Sequence, residues 1–293
     1  MDTTKQEKLL KSLSGGLSGC KLSISRDGRF VTKTSSNNNY NPRLAKQIEK
    51  QKIFKKMLIK GIECPDIIET GKGRDGLDFF TMEYAIGKDF KDFLNCSSPN
   101  EIVSFTNSIF TYIEAMRLTE SIHTEVEFSA VCIEKLESIK KNIPDLLFFE
   151  FLHNKLLRME KINVPISFCH GDLTLSNILF SNKKIFFLDF LDSYIESWII
   201  DLVKLKQDLF YFWSYLRDDR EPSLRLIQAS IKIWNSIEEK YPEFVFSNEF
   251  KILEALNFLR IYPYAREEKD LLIIENILKK LPIYEEFNNP NGR

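Results

Sequence analysis

The chain has 293 residues, of which 43% are apolar and 13% aromatic, and its 41 basic and 42 acidic side chains almost cancel. A chain of this length can bury a full hydrophobic core, in one large domain or in two lobes. The even charge balance lacks the basic footprint of nucleic-acid-binding proteins, so no nucleic-acid partner is expected. The longest apolar runs, such as Ile185–Leu188 and Trp198–Ile200, are far shorter than the ~20 residues of a membrane span, and the polar N-terminus lacks an apolar signal-peptide stretch.

The five cysteines are dispersed along the sequence, and no two of them form a Cys-x-x-Cys pair. This usage favours reduced thiols in a cytoplasmic protein over a disulfide or zinc framework. No two of the three histidines stand at ligand spacing, so a transition-metal site is not expected.

The N-terminal part, residues 1–86, has the pattern of a small β-rich lobe with one helix. Arg26–Arg29 form a hairpin turn between the first two predicted strands. Asn41-Pro42 is typical of an N-cap followed by proline at the first helical position, and the helix is expected to end at Gly61. The predicted strands are 20–25, 30–34, 67–70 and 77–84.

The remaining part, residues 87–293, is dominated by amphipathic helices, and the lobe boundary is placed near 85–88. An extended patch, 167–189, interrupts the helical pattern with turn residues and short apolar runs. The predicted helices are 99–118, 123–142, 146–161, 197–217, 222–239, 248–260 and 267–280.

That extended patch contains the most informative segment of the chain. A turn presents Asp172, and Asn177 follows five residues later at the start of a β-type run. After a tight turn, a second short strand leads to Asp189 at the same end of the pair. One carboxylate can take a proton from a hydroxyl, while an amide oxygen and a second carboxylate can hold Mg²⁺ against nucleotide phosphates. Such positioning and charge neutralisation are most of what phosphoryl transfer requires.

The spaced set His170-Gly171-Asp172-x-x-x-x-Asn177, followed by Asp189-Phe190-x-Asp192, resembles the signature of the aminoglycoside phosphotransferase and choline kinase superfamily, and is similar to the loops of protein kinases. The resemblance implies an α+β, bilobal protein-kinase-like fold, with an antiparallel N-lobe sheet plus one helix and a larger helical C-lobe. It also implies ATP and Mg²⁺ as cofactors. Asp172 would be the catalytic base, Asn177 and Asp189 would be the metal ligands, and His170 would brace the loop. Asp201 would support the catalytic loop, 170–192, from the following helix. The alternative is an Asp/Asn-rich turn between two buried strands.

Such a fold requires a phosphate-pairing lysine on an N-lobe strand and a helix glutamate to hold it. Lys33 lies in the second predicted strand, and Glu49 lies in the following helix, one turn from Ala45 and Ile53. That helix face could pack toward the strand. In isolation Lys33 would be interpreted as a solvated surface lysine, and its position before Glu49 and the catalytic loop favours the nucleotide role.

Two further N-lobe segments match the nucleotide site by position. Ser18 and Gly19 close a Ser/Gly tract before the first strand, where backbone N–H groups could approach phosphates, although such tracts are commonly just flexible. Met82–Phe90 resembles the family hinge, in which Glu83 and Ala85 would pair with the adenine edge through their backbone. The alternative there is an edge strand running into a glycine turn.

The sequence after Asp189 argues against a protein kinase, because Leu191 replaces the glycine of Asp-Phe-Gly and only eleven residues precede Asp201. The acceptor is therefore expected to be a small hydroxyl compound, with a sugar, polyol or amino-alcohol favoured. An aminoglycoside antibiotic acceptor and a pseudokinase-like nucleotide-binding regulatory module remain as alternatives. The aromatic run 210–215 and Arg260 are candidate acceptor contacts, and a buried helix core is the favoured interpretation of the aromatic run.

Overall fold

A computed structural model describes residues 20–121, 125–142, 146–160, 163–181, 184–216, 221–265 and 267–288. These residues form two compact units. The first comprises the described residues up to Phe90 together with Asn177–Asp192. The second comprises those of Lys91–Ser176 and those from Ser193 onward. The chain thus returns to the first unit at Asn177, whereas the sequence prediction assigned all of 87–293 to one lobe.

The first unit is built on a four-stranded antiparallel sheet. Its strands β1 and β2 form a hairpin, β5 pairs with β2, and β4 pairs with the outer edge of β5. Side chains alternate between the faces of a strand, so Val31, Lys33 and Ser35 of the second strand are all buried on one face. The strands lie within two residues of their predicted positions: β1 (Cys20–Ile24), β2 (Phe30–Ser35), β4 (Ile67–Lys72) and β5 (Asp78–Glu83), with the short β3 (Ile62–Glu63) before β4.

Helix α1 (Asn41–Met57) matches the predicted N-lobe helix, but both of its predicted ends are wrong. The N-cap is Tyr40, and the Asn41 side chain instead bonds Gly76 O and Asp78 N, each at 3.0 Å. A tertiary contact therefore replaces the local cap. At the other end the helix stops because Leu58 adopts a left-handed conformation with φ of 50°, three residues before Gly61.

A second sheet of the first unit joins segments that are distant in sequence. Strands β8 (Ile178–Ser181) and β9 (Lys184–Phe187) form an antiparallel hairpin, and β9 pairs in parallel with β3. Lys88 and Phe180 exchange backbone hydrogen bonds of 2.8 and 2.9 Å. Gly87 lies so close that an added Cβ would be 2.9 Å from Phe180 O, so this approach requires glycine.

The second unit is mainly helical. Ser98 and Glu101 form a capping box at the start of its longest helix, which satisfies N–H groups that lack partners within the helix. The helices are α2 (Phe90–Cys96), α3 (Pro99–Arg117), α4 (Phe128–Ile139), α5 (Leu146–Arg158), α6 (Trp198–Leu209), α7 (Trp213–Leu216), α8 (Leu224–Lys240), α9 (Pro242–Val245), α10 (Asn248–Leu259), α11 (Glu268–Leu278) and α12 (Pro282–Asn288).

Two predicted helices of this unit are shorter than expected. The helix predicted at 123–142 begins at Phe128, because strand β6 (Glu125–Glu127) pairs with β7 (Asn163–Pro165) instead. The helix predicted at 197–217 ends at Leu209 and resumes at Trp213. Between them Phe212 has φ of 57°, a conformation that a continuous α-helix cannot contain.

The core of the second unit contains several fully buried aromatic side chains. Tyr112, Trp198, Trp234 and Phe250 are each at most 1% exposed. Burying one large apolar side chain stabilises a fold by about 1.5–3 kcal/mol.

In the described part of the chain, no helix is both long enough and apolar enough to cross a membrane.

Candidate active site

The loop of residues 170–177, called here the Asp172 loop, is fixed to helix α6 by a buried carboxylate. Asp201 is fully buried and accepts the backbone N–H groups of His170 at 2.7 Å and Gly171 at 2.9 Å. Gly171 has φ of 83°, which glycine adopts at little cost. This arrangement agrees with the supporting role expected for Asp201.

Tyr112 adds a third donor to the same carboxylate. Its hydroxyl donates to Asp201 at 2.6 Å and accepts the His170 N–H at 3.0 Å. Burial, together with the Asp201 carboxylate, raises the pKa of Tyr112 well above its usual value, so the phenol stays a donor. His170 is also fully buried, and its Nδ1 accepts the Asp172 N–H at 3.3 Å, in keeping with a bracing role.

A second carboxylate of helix α6 holds the far end of the Asp172 loop. Asp208 is fully buried and accepts Leu175 N at 2.8 Å and Ser214 N at 3.0 Å. Burial raises the pKa of Asp208, and the bonds from Ser214 and Leu175 oppose that shift. The bond from Ser214 also links Asp208 to the start of α7.

Asp172 itself forms an ion pair with Lys204, a lysine of helix α6. The Lys204 ammonium lies 3.0 Å from the Asp172 carboxylate, and the two side chains are 9% and 27% exposed. Burial alone would raise the pKa of Asp172, but the Lys204 ammonium, with smaller contributions from His170 and Arg260, holds that pKa below its usual value. Burial lowers the pKa of Lys204, and Asp172 opposes that shift. The pair therefore keeps Asp172 ionised.

In the first unit, the structure brings Lys33 to Asp189. The Lys33 side chain is 2% exposed and its ammonium bonds the Asp189 carboxylate. Asp189 follows β9 with φ of 64°, a left-handed conformation that is uncommon for residues other than glycine and often found at functional sites. The Leu188 N–H donates to Asn177 O at 2.9 Å, so Asn177 and Asp189 lie at the same end of the hairpin.

These two residues fit the chemistry of magnesium. An amide oxygen and a carboxylate are hard oxygen donors, and Mg²⁺ is usually held by one or two such groups plus phosphate oxygens and waters. The Asp189 side chain is 39% exposed, so its carboxylate is accessible to a metal ion. Asn177 and Asp189 therefore fit the metal-ligand role that the sequence assigned to them.

The predicted pairing of Lys33 with Glu49 is wrong. Glu49 lies on an exposed face of helix α1 with Ala45 and Ile53, while Gln47 and the neighbouring Gln51 are buried on the inward face. Two residues along an α-helix correspond to a rotation of about 200°, so Glu49 points away from the sheet.

Helix α1 contributes an amide and a lysine to the inside of the first unit in place of Glu49. The Gln51 side chain donates to Pro65 O at 2.8 Å, and the buried Lys50 ammonium donates to Leu191 O at 2.7 Å, two residues beyond Asp189.

The hinge segment ends the fourth strand of the main sheet. The Glu83 N–H donates to Asp66 O at 3.0 Å and the Tyr84 N–H donates to Arg29 O at 2.7 Å. Among the described residues no backbone group bonds the Ala85 N–H. Ser18 and Gly19 lie outside the described residues.

The second unit holds the two candidate acceptor contacts, Arg260 and the aromatic run 210–215. The Arg260 guanidinium lies over the Tyr194 ring, with Cζ 5.2 Å from the ring centroid. In the aromatic run, Tyr211, Trp213 and Tyr215 are buried and Phe210 is 44% exposed, which agrees with a helix core that has one exposed flank.

Sequence reasoning missed Lys204 and Asp208, although their spacing was a usable signal. Asp201, Lys204 and Asp208 stand at i, i+3 and i+7, which places them on one face of an α-helix. A helix whose buried face carries three charged residues is a strong indication that it supports a polar site.

The α+β architecture, with an antiparallel sheet region followed by a helical region, is that of protein-kinase-like phosphotransferases. A sequence model of the APH group, described as "Phosphotransferase enzyme family", matches residues 10–235. The chain therefore belongs to the phosphotransferase enzyme family. A comparison with curated proteins found no match.

Solved structures with this fold include several aminoglycoside phosphotransferases. The streptomycin–ATP complex of APH(2″)-IIa matches with a TM-score of 0.58 at 13% identity, covering 96% of each chain. A ternary complex of a thermostable mutant of APH(4)-Ia with AMP-PNP and hygromycin B matches with a TM-score of 0.57 at 12% identity, covering 98% of this chain and 99% of the other. ADP-bound APH(2″)-Ib matches with a TM-score of 0.54 at 13% identity, over 98% and 99%.

Proposed function

We propose that the protein transfers the γ-phosphoryl group of ATP, with Mg²⁺, to a hydroxyl of a small molecule. The observation that carries this proposal is Asp172, a charged carboxylate on a loop fixed by the buried Asp201. A rigid, ionised carboxylate is suited to orienting a hydroxyl and accepting its proton. Family membership supports the phosphotransferase chemistry.

The other roles follow from the first unit. Lys33 would neutralise phosphate charge, and Asn177 and Asp189 would hold Mg²⁺. The ion would offset the negative charge of the phosphates during transfer. Ser18 and Gly19 would approach the phosphates through their backbone, and the backbone of Glu83 and Ala85 would pair with adenine. Similar structures solved with ATP, AMP-PNP or ADP support a nucleotide site in this fold.

The acceptor is proposed to be a small compound such as a sugar, polyol or amino-alcohol. Only eleven residues lie between Asp189 and Asp201, which leaves no long segment for docking a peptide. A second candidate is an aminoglycoside, which is supported by the likeness to complexes with streptomycin, gentamicin and hygromycin B. All five cysteines are free thiols, which supports a reducing cytoplasmic setting.

Thermal unfolding with and without Mg·ATP, followed by a Mg·ATP consumption screen, tests the proposal. We expect Mg·ATP to raise the Tm of the wild type and of Asp172→Asn, but not of Asp189→Ala. Turnover with an acceptor should fall by several orders of magnitude in Asp172→Asn. Asp75→Asn, an exposed carboxylate of the first unit, is the matched control and should behave as wild type.

The possible outcomes separate the candidate functions. Mg·ATP stabilisation without turnover of any hydroxyl compound would favour a regulatory nucleotide-binding module. Wild-type turnover in Asp172→Asn would remove the base assignment, and no effect of Mg·ATP on any variant would sink the proposal as a whole.

A further inference from the structure

Two cations of the second unit act electrostatically on Asp172, and one of them, Arg260, has no carboxylate partner within the described ranges. Lys204 forms the ion pair with Asp172 at 3.0 Å. Arg260 is close enough to both residues to influence their charge states electrostatically. Lys204 therefore has a countercharge, whereas Arg260 supplies a positive charge that no described ion pair neutralises.

The acidic groups of this region are already engaged elsewhere. Asp201 and Asp208 bind backbone N–H groups of the Asp172 loop. Glu254 lies on helix α10, whose C-cap residue is Arg260, and it pairs with Lys206 at 2.7 Å. The positive charge of Arg260 is thus open to a ligand.

Tyr194 adds a second unsatisfied group at the same place. Its hydroxyl is buried and has no hydrogen-bond partner among the described residues, while its ring lies under the Arg260 guanidinium. Burial strongly raises the pKa of Tyr194, so the hydroxyl is a donor. A buried donor without an acceptor costs about 1–3 kcal/mol, and a bound acceptor atom would remove that cost.

We propose that the acceptor is an anionic hydroxyl compound, whose phosphate or carboxylate group binds Arg260 and the Tyr194 hydroxyl while its hydroxyl faces Asp172. A guanidinium fork matches the planar oxygens of both anions. The inference rests on the proposed function and narrows its acceptor class. It disfavours a polycationic aminoglycoside, which would meet the uncompensated positive charge of Arg260 with like charge.

The reaction balances without another reactant. The bond between the γ-phosphorus and the bridging oxygen of ATP breaks and its electron pair leaves on ADP. A new bond forms from the acceptor hydroxyl oxygen to that phosphorus, and the hydroxyl proton passes to the Asp172 carboxylate.

The first test compares matched acceptors with Mg·ATP. Glucose, glucosamine, glucose 6-phosphate and gluconate form one set, glycerol, glycerol 3-phosphate and glycerate a second, and kanamycin serves as the polycation. We expect kcat/KM to be highest for an anionic member, and the phosphate and carboxylate arms identify which anion is used. In Arg260→Gln that preference should fall about tenfold or more, as for loss of a charge-assisted hydrogen bond. Preference for a neutral or cationic member would overturn the inference.

The second test needs no acceptor. Binding of inorganic phosphate is measured by calorimetry with saturating Mg·AMP-PNP present, in the wild type, Arg260→Gln, Arg260→Lys, Tyr194→Phe and Arg117→Gln. Arg117 is the matched control, because it also stacks on an aromatic ring of this unit, that of Trp198 at 5.5 Å. We expect weaker phosphate binding in the Arg260 and Tyr194 variants and none of that loss in Arg117→Gln.

Tyr194→Phe keeps the test decisive if Arg260→Gln fails to fold, since removing an unpaired hydroxyl should leave the Tm unchanged or raised. Phosphate binding that is equal in wild type and Tyr194→Phe, or equal in a folded Arg260→Gln, would overturn the anion site. The Mg·ATP measurement separates the two proposals. If Mg·ATP does not raise the Tm of the wild type, the proposed function is refuted. If Mg·ATP raises that Tm but phosphate binds wild type and variants equally, only the proposed acceptor class is refuted.

Discussion

The Lys204 ammonium lies 3.0 Å from the carboxylate of Asp172, and the two residues reach that contact from a helix and from a loop that the same helix supports. The lysine has two opposite effects on a base. It keeps the carboxylate charged, and it lowers the proton affinity on which general-base catalysis depends. The pair therefore favours positioning of a hydroxyl over strong proton abstraction.

Lys204→Met should move the acidic limb of the kcat/KM profile to higher pH. The pKa of Asp172 is held below its usual value chiefly by Lys204, so removing the ammonium leaves the raising effect of burial opposed only by the smaller contributions of His170 and Arg260. The ionised carboxylate is the active form, and activity would then be lost at a higher pH as the pH falls. Lys232→Met, at an exposed position of α8, is the control, and a profile identical in both variants would contradict this account.

The same pair makes a matching prediction for stability. An aspartate with a depressed folded-state pKa contributes stability that is present above its unfolded-state pKa and is lost as the pH falls through the folded-state value. Lys204→Met should therefore show less loss of Tm than the wild type between neutral and strongly acidic pH. Tm curves of equal acid slope would show that the ion pair does not act this way.

Asp201→Asn should destabilise the second unit and reduce turnover while sparing nucleotide binding. An amide can replace only one of the two oxygens that accept His170 N and Gly171 N, and the unpaired buried N–H costs about 1–3 kcal/mol. The measurements are Tm by calorimetry and Mg·ATP stabilisation of the folded variant. Glu239→Gln, exposed on α8, should change neither, and a wild-type Tm in Asp201→Asn would refute the bracing role.

Glu49→Gln should leave turnover within about twofold, whereas Lys33→Met should reduce it by one or more orders of magnitude. Glu49 is exposed and makes no described bond to Lys33, whose charge is instead placed at Asp189. The comparison uses kcat and KM for ATP at saturating acceptor. A loss in Glu49→Gln as large as that in Lys33→Met would restore the pairing that the sequence suggested.

Glu254→Gln should cost about 3–5 kcal/mol of unfolding free energy, because it leaves the buried Lys206 without its countercharge. Glu286→Gln, which weakens the partly exposed ion pairs of Glu286 with Lys155 and Lys251, should cost much less, about 1 kcal/mol. Denaturant unfolding of both variants measures the difference. The double variant Lys206→Met/Glu254→Leu should recover most of the loss, since an apolar pair can replace a buried ion pair. Failure to recover would indicate a role beyond charge balance.

The sequence predicted the elements well and their contacts less well. The hairpin turn at 26–29 located β1 and β2, and spacing identified the metal-ligand candidates Asn177 and Asp189, because both signals are local. The cap at Asn41 was missed because its side chain is used by a distant turn. Local sequence cannot reveal such a tertiary competitor.

The phase of helix α1 shows a second kind of limit. The sequence offers two polar faces, one with Glu49 and one with Gln47 and Gln51, and the helix buries the amides. Burying an amide costs less than burying a carboxylate when hydrogen-bond partners are available, and Gln51 finds one at Pro65 O. The charge of Glu49 thus led to the prediction that the exposed face of helix α1 packs toward the sheet.

Because Asn177–Asp192 belongs to the first unit, that unit cannot complete its folding until this late segment has been synthesised. During synthesis the N-terminal residues leave the ribosome first, yet the strand that pairs with β3 is absent until β9 has been translated. Until then the backbone groups of Ile62 and Glu63 that bond β9 are unpaired. A chaperone or another nascent chain could form hydrogen bonds with this exposed strand edge. A shortened chain that stops at Phe90 lacks β9, so the edge of β3 stays unpaired. We expect such a chain to aggregate.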